Sequence, residues 1–374
     1  MVIIRTLQDL QVFSSSFNWK EFACDTETTD LDYFKLDIVG ISLYDGKNLA
    51  YIDLWENPEK REFLYHFWSN LQTSQILIGQ NLVFDIKVFT KVFNLGQQAT
   101  NLLLKNTKLI DTMLASYLID ERTPHNLKYL VEVHLKKNHV TFTEVQKFGY
   151  NSVEFTSAME IHAKNTWDLW QIFKPMLKEQ QLEQVFDIEC NFIPVQVEME
   201  LTGIELDTEL LKQQETFLDL LKCQLEEEMT ESLGYNKVYQ ERFWEKPENV
   251  NPVDYGSSAQ VAKMIQKRLK IKLTVETDKG KDGRKSVKDE VIKGLLEKHK
   301  FFPLYQKYKA VTKLLNTYCS KYWDLIKPDG RIHPEYHIRR SGRAYISKPN
   351  LGNQAKENDL VSEVNVRNLI VSKI

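Results

Sequence analysis

Three short β-rich runs, FACDTETT, DIVGISLY and NLAYIDLW, follow one another near the start of the chain with only turn-like segments such as DYFKL and DGK between them. Connections this short join neighbouring strands, so the runs are expected to lie side by side in one sheet. The helical pattern ENPEKREFLYHFWSNL then leads to another apolar run, QILIGQN, which opens into the helix-like NLVFDIKVFTKVF. This alternation constrains the first half to an α/β layer with a mixed sheet. TMLASYLI, HNLKYLVEVHL and SAMEIHAKNTWDLWQIFKPML have helical spacing, so helices should cover that sheet.

Between Val185 and Asn191 the pattern changes to long acidic helices, expected over about Glu183 to Glu200 and Thr208 to Ser232. No Pro/Gly-rich tether marks the join, so a helix should run between two domains, and 374 residues suit two domains better than one. The remainder reads as helical, with a weak loop at ETDKGKDGRKS. No apolar run approaches twenty residues, which argues against a membrane span. Cys24, Cys190, Cys223 and Cys319 form no CxxC pair, and MVIIRTLQDL has too short an apolar stretch for a signal peptide. A reducing, cytoplasmic location is the expectation.

A net charge of -3 looks wrong for a nucleic-acid binder, but the total conceals segregation. Met1 to Cys190 holds roughly 18 basic against 25 acidic residues, whereas Lys263 to Lys313 holds roughly 16 against 6. The basic block is either a solvated lysine-rich face or a surface that follows a phosphate backbone.

Asp25 and Glu27 stand two apart on the expected strand FACDTETT, and a strand's two-residue period sends both side chains to one face. An arbitrary DxE is commonly a pair of surface carboxylates. Here Asp85 follows in GQNLVFD, where Asn81 can cap a helix and Asp85 can project from its first turn. Three carboxylates with no Cys or His cluster nearby favour Mg²⁺ or Mn²⁺ over Zn²⁺. Two such ions roughly 3.5 to 4 Å apart can activate water and stabilise a leaving oxygen in phosphodiester hydrolysis.

DTETTDL, GQNLVFD and the later HAKNTWD resemble, in order and spacing, the three exonuclease motifs of the 3′–5′ proofreading domain of family A DNA polymerases. The resemblance implies a DEDD exonuclease domain of RNase H-like α/β fold. In that family the first aspartate bridges two metal ions, the glutamate binds one, and the aspartate of the second motif acts through the other ion's water. Asp25, Glu27 and Asp85 match these positions. The third motif departs from the pattern: His162 stands at the family's tyrosine and Thr166 at its fourth metal-binding aspartate. His162 would orient the attacking water as the tyrosine does, or have no role. Asp168 lies two residues beyond Thr166, turned by about 200°, and would ligate only through a shifted register or a bulge. The expectation is a weakened exonuclease site.

IECNFIPVQVEMELTGIELDTELL resembles the opening of the polymerase thumb, with Glu189, Pro194, Glu198, Gly203 and Asp207 at the marked positions. NPVDYGSSAQVAKMI and KLLNTYCSKYW are similar to thumb segments flanking the basic block, so the lysines are expected at the thumb tip, with Lys313 and Asn316 on DNA. RIHPEYHIRRSGRAYISKPNLGN resembles a primer-template segment, placing Arg343, Asn350 and Asn353 on DNA, while Gly352 replaces the usual glutamine. The implied organisation is an exonuclease domain over 1–185, a mostly helical thumb over 186–335, and the edge of a palm over 336–374. Palm and fingers motifs do not occur, so polymerisation is expected to need a second polypeptide that supplies them and covers the apolar strand NVRNLIV. The competing expectations are a truncated polymerase and a DNA-binding structural subunit with a vestigial nuclease site. The resemblance also implies a bacterial or phage-infected cell.

Overall fold

The structure is a computed structural model that describes residues 2–94, 107–235, 253–273, 287–338, 343–354 and 359–371. The chain divides into two compact units, one of Met1–Gly203 with His333–Lys348 and the other of Ile204–Ile332 with Pro349–Ile374.

The first unit contains β1 (Val2–Ile4), α1 (Leu7–Ser14), β2 (Glu21–Thr28), β3 (Ile38–Tyr44), β4 (Leu49–Asp53), α2 (Lys60–Leu71), β5 (Ile76–Gly79), α3 (Leu82–Val92), β6 (Lys108–Asp111) and α4 (Thr112–Ile119). After these come α5 (Leu127–Leu130), α6 (Phe142–Val145), α7 (Val153–Met159), α8 (Ile161–Glu179) and α9 (Glu183–Thr202). The strand order is β1-β4-β3-β2-β5-β6. Pairing is antiparallel along β4-β3-β2 and parallel for β1 with β4, β2 with β5 and β5 with β6. The mixed sheet expected from the sequence is present. Its edge strands β1 and β6 are too short to show a readable period.

Burial on the sheet sets the local sequence. β3 is buried along nearly its whole length, which requires a continuous apolar run rather than alternation. Gly40, the cross-strand partner of Glu27, has no substitute, because a Cβ there would lie 2.1 Å from the Tyr51 hydroxyl. Helix α8 packs across β2, β3 and β5, burying His162, Thr166, Leu169, Phe173 and Leu177 at the three-to-four spacing of one helix face.

The second unit contains β7 (Ile204–Leu206), α10 (Thr208–Ser232), α11 (Ser258–Lys267), α12 (Asp289–Lys293), α13 (Phe301–Leu314), α14 (Ser320–Leu325) and β8 (Arg331–Ile332). Then β9 (Glu335–Ile338) and β10 (Ala344–Ser347) form an antiparallel hairpin that belongs to the first unit, and β11 (Ile370–Val371) returns to the second. Helix α10 packs along α13 over a core that includes Leu211, Leu218, Phe301 and Tyr305.

Several expectations change here. The first compact unit continues past 185 to Gly203, because α9 buries Phe186, Cys190, Ile193 and Val197 in the first core. Gly203 ends that helix with φ of 62°, as its residue type allows. Residues 336–374 are shared between the units rather than forming one segment. The second half is not wholly helical: β11, β7 and β8 make a three-stranded antiparallel sheet. NVRNLIV is therefore not left without a sheet, since Ile370 pairs with Leu206 and Val371 with Glu205. ETDKGKDGRKS lies outside the described residues. No described helix is long and apolar enough to cross a membrane.

Candidate active site

Strand β2 carries Asp25 and Glu27, whose cross-strand partners on β3 are Ser42 and Gly40. The Ser42 hydroxyl donates to the Glu160 carbonyl at 2.7 Å and accepts the Ala163 N–H at 3.2 Å. These two bonds pin the start of α8 above β3 and carry His162 onto the carboxylates. Its Nδ1 lies 3.2 Å from Asp25 Oδ2 and 2.9 Å from Glu27 Oε1, while Nε2 lies 3.4 Å from the Val140 carbonyl. The three ligand atoms all lie within 4.8 Å of one another. Glu27 and His162 are buried, whereas the Asp25 side chain is 17% exposed and leaves the group open to solvent.

Adjacent carboxylates in a buried site demand a nearby positive charge. Burial raises the Glu27 carboxyl, and the His162 charge pulls it back. Burial works against a charged His162, but Glu27 and the bonds to both acids outweigh it and hold the imidazole well above its ordinary range. His139 stacks on this ring at 4.8 Å and is pushed down to about 4 by burial and by the His162 charge.

Helix α3 starts at Asn81, which has a left-handed φ of 62° and makes no side-chain cap. The cap comes instead from Asp111 at the end of β6. Its Oδ1 accepts the Asn81 N–H at 3.1 Å and its Oδ2 accepts the Leu82 N–H at 2.8 Å. Oδ1 also accepts from Met113 at 2.8 Å and Leu114 at 3.3 Å, so one buried carboxylate fastens the starts of α3 and α4. Burial raises Asp111, and the four N–H bonds oppose that rise. Sequence reasoning missed this residue, although an Asp directly before the helical run TMLASYLI is an N-cap signal.

Asp85 does project from the first turn of α3 and is buried. Its Oδ1 accepts from the Thr26 N–H at 2.9 Å and the Thr26 hydroxyl at 2.6 Å. It is thus tied to the residue between Asp25 and Glu27, yet the convergent ligand group consists of Asp25, Glu27 and His162. Burial, followed by the Asp25 charge, raises Asp85 well above the usual carboxylate range.

The third motif needs a correction. Asp168 does not reach the cluster: its carboxylate is held by Lys164 at 2.8 Å and Lys137 at 3.1 Å. Helix α8 runs from Ile161 to Glu179 as regular α-helix, so the register shift that Asp168 needs is not there. Thr166 is fully buried, and its hydroxyl has no hydrogen-bond partner. Two carboxylates and one imidazole are a donor set that suits one divalent cation. A fourth carboxylate is not found at the motif position.

The remaining candidates fall in both units. Lys313, in the last turn of α13, and Asn316, three residues on, are exposed in the second unit. Asn350 is half-buried and Asn353 exposed; the Asn353 carbonyl accepts from the Tyr318 hydroxyl at 3.4 Å, which ties this turn to the segment containing Asn316. Arg343 is exposed beside the hairpin strand β10, which belongs to the first unit.

Residues 1–181 match the family model described as 3′-5′ exonuclease, and residues 223–373 match the model described as DNA polymerase family A. The chain belongs to the family A DNA polymerases. Among curated members of this family, DNA polymerase I of Borreliella burgdorferi is 28% identical over 89% of this chain and 35% of its own length. DNA polymerase I of Caldicellulosiruptor bescii is also 28% identical, over 89% of this chain and 36% of its own length. DNA polymerase DpoZ of Acinetobacter phage SH-Ab 15497 is 24% identical over 60% of this chain and 37% of its own length. The chain thus spans about a third of the length of these polymerases. Among solved structures, the POL domain of Pol1 from M. smegmatis, in complex with DNA primer-template and dNTP, matches with a TM-score of 0.72 at 17% identity. It covers 98% of this chain and 57% of that one, which establishes the likeness of fold.

Proposed function

We propose that this chain is a polymerase module that binds the 3′ end of DNA in its first unit and removes terminal nucleotides by metal-assisted hydrolysis, while the second unit acts as a thumb on primer-template. The observation that carries the reading is the convergence of Asp25, Glu27 and His162 on one solvent-accessible point of β2. In this reading the first unit is the RNase H-like exonuclease domain, and Asp25, Glu27 and His162 would hold a divalent ion, Mg²⁺ or Mn²⁺. Such an ion supplies an activated water and charge stabilisation of the leaving oxygen. Asp25, at the exposed edge, is the group nearest to an incoming 3′ end. Asp85 braces β2 through Thr26, and Ser42 positions His162. Lys313, Asn316, Arg343, Asn350 and Asn353 are the proposed DNA contacts, backbone-directed and without sequence preference.

The test is release of 3′ nucleotides from single-stranded DNA with Mg²⁺ or Mn²⁺ by the wild type and by Asp25→Ala. Release that depends on Asp25 is expected; DNA binding without release would leave a structural subunit with a vestigial site. Primer-template binding should weaken steeply with salt, because lysine contacts release counterions. The polypeptide carrying palm and fingers, in the cytoplasm of a bacterium or a phage-infected cell, would be found by co-purification with this chain. Primer extension by the chain alone would refute that part.

A further inference from the structure

We propose that this centre takes a single divalent cation with the His162 imidazole as a direct ligand beside Asp25 and Glu27, and that it favours Mn²⁺ over Mg²⁺. The inference rests on the nuclease reading for the presence of an ion, and departs from the two-ion carboxylate arrangement that the motifs imply.

The first argument is an orphaned oxygen. An imidazole nitrogen carries at most one hydrogen, yet His162 Nδ1 faces two carboxylate oxygens, at 3.2 Å and 2.9 Å. Both oxygens lie within hydrogen-bonding distance, but the one hydrogen can serve only one of them well, and Glu27 is only 5% exposed, so water does not readily serve the other. A buried oxygen without a partner is costly unless something else satisfies it. One cation in place of one proton satisfies the nitrogen and both oxygens together. Neighbouring ligands held at about 2.1 Å from an ion stand about 3 to 3.4 Å apart, close to the 3.2 Å and 2.9 Å that already separate Nδ1 from the two oxygens.

The second argument concerns the rear of the ring. His162 Nε2 faces the Val140 carbonyl at 3.4 Å, an acceptor that suits a hydrogen on Nε2, so that a cation replacing the Nδ1 proton would meet the Nδ1 lone pair. His139 stacks on the same ring, and its own Nδ1 lies 3.3 Å from the Asn165 amide nitrogen. The imidazole is therefore fixed from behind, as a ligand must be.

The third argument limits the count. A second ion needs more carboxylate oxygens at the point of convergence, and few are there: Asp85 stands outside the ligand group with its Oδ1 on Thr26, Asp168 is held by two lysines, and Thr166 carries no charge. An imidazole nitrogen is a poor ligand for Mg²⁺, which prefers oxygen, and a better one for Mn²⁺.

The experiment is Mn²⁺ binding to the full chain, followed by equilibrium dialysis for the count and by pulsed electron paramagnetic resonance for nitrogen coupling to the bound ion. One ion per chain with ¹⁴N coupling is expected. His162→Phe should remove the coupling and weaken Mn²⁺ binding by about tenfold or more. If that variant does not fold, the coupling in the wild type decides alone. Two ions per chain, or a bound ion without nitrogen coupling, overturns the assignment and leaves the nuclease reading standing. One nitrogen-coupled ion in a chain that releases no 3′ nucleotides upholds the assignment and sinks the nuclease reading. Absence of bound Mn²⁺ overturns the assignment, while release of 3′ nucleotides with Mg²⁺ decides the nuclease reading separately.

Discussion

Asp111 is the residue through which the structure makes its sharpest energetic prediction. Its carboxylate accepts backbone N–H groups from Asn81, Leu82, Met113 and Leu114, and so caps two helices, one of which carries Asp85. Asp111→Ala removes both caps and leaves four N–H groups in search of partners. At about 1 kcal/mol per cap or hydrogen bond, offset by the regained freedom from burying a carboxyl, the loss should be about 2 to 4 kcal/mol. Asp111→Asn is the discriminating control. Its remaining oxygen can keep the Asn81, Met113 and Leu114 bonds held by Oδ1, while the amide turns a donor toward the Leu82 N–H. The cost should then be about 1 to 2 kcal/mol and confined to α3. Amide hydrogen exchange reads this directly. The alanine variant should accelerate exchange at both Leu82 and Met113, whereas the asparagine variant should accelerate Leu82 by about 5- to 30-fold and spare Met113. Equal acceleration at both amides in the asparagine variant, or less than about 0.5 kcal/mol lost in the alanine variant, would refute the shared-cap account.

Three further outcomes follow from buried polar groups. Glu189 is buried with Oε2 unpartnered, and burial raises its carboxyl to about 7, so the folded state holds the proton that the unfolded chain loses near 4.5. Its stabilising contribution is present at pH below about 4.5 and fades as pH rises through 7, a loss of about 2 to 3 kcal/mol that Glu189→Gln should abolish in melts compared at pH 5 and pH 8. Lys87 bonds Glu200 at 2.6 Å, and Glu200 keeps only Gln196 and the Tyr336 N–H, each at 3.0 Å, when the lysine is lost. Lys87→Met should cost about 2 to 3 kcal/mol and speed exchange at the Tyr336 amide, with Lys87→Met/Glu200→Gln recovering most of it; an unchanged amide would contradict the coupling. Thr166→Asp buries a carboxylate where a hydroxyl now stands, so the chain should lose about 1 to 3 kcal/mol without metal and regain it with Mg²⁺, visible as a larger rise in melting temperature than the wild-type protein shows.

The sheet was legible because β2, β3 and β4 are long enough to show β-rich composition and are joined by short turns. The placement of Asp25 with Glu27 was legible too, since it needs only the strand period. What the sequence hid depends on contacts between distant residues. Asp111 supplies from β6 the cap expected of Asn81, whose backbone turns left-handed instead. His162 reaches the acids because Ser42, on a neighbouring strand, sets the height of α8. Asp168 has the right chemistry in the motif string, but a regular helix sends it to Lys137 and Lys164. The compact unit runs past the expected boundary for a related reason: α9 reads as the start of something new, yet its apolar side completes the first core.

The hairpin formed by β9 and β10 reaches back to the first unit from far along the chain, and this sets the order in which the protein can be made. Gln196 and Glu200 emerge from the ribosome early, whereas Tyr336, whose backbone they bond, and His333, which bonds the Glu200 carbonyl, are synthesised well over a hundred residues later. During that interval the nascent first unit exposes a carboxylate and apolar surface that the finished protein covers, a window in which chaperone binding or aggregation competes with completion. A gene fragment ending at Gly203 would make that interval permanent.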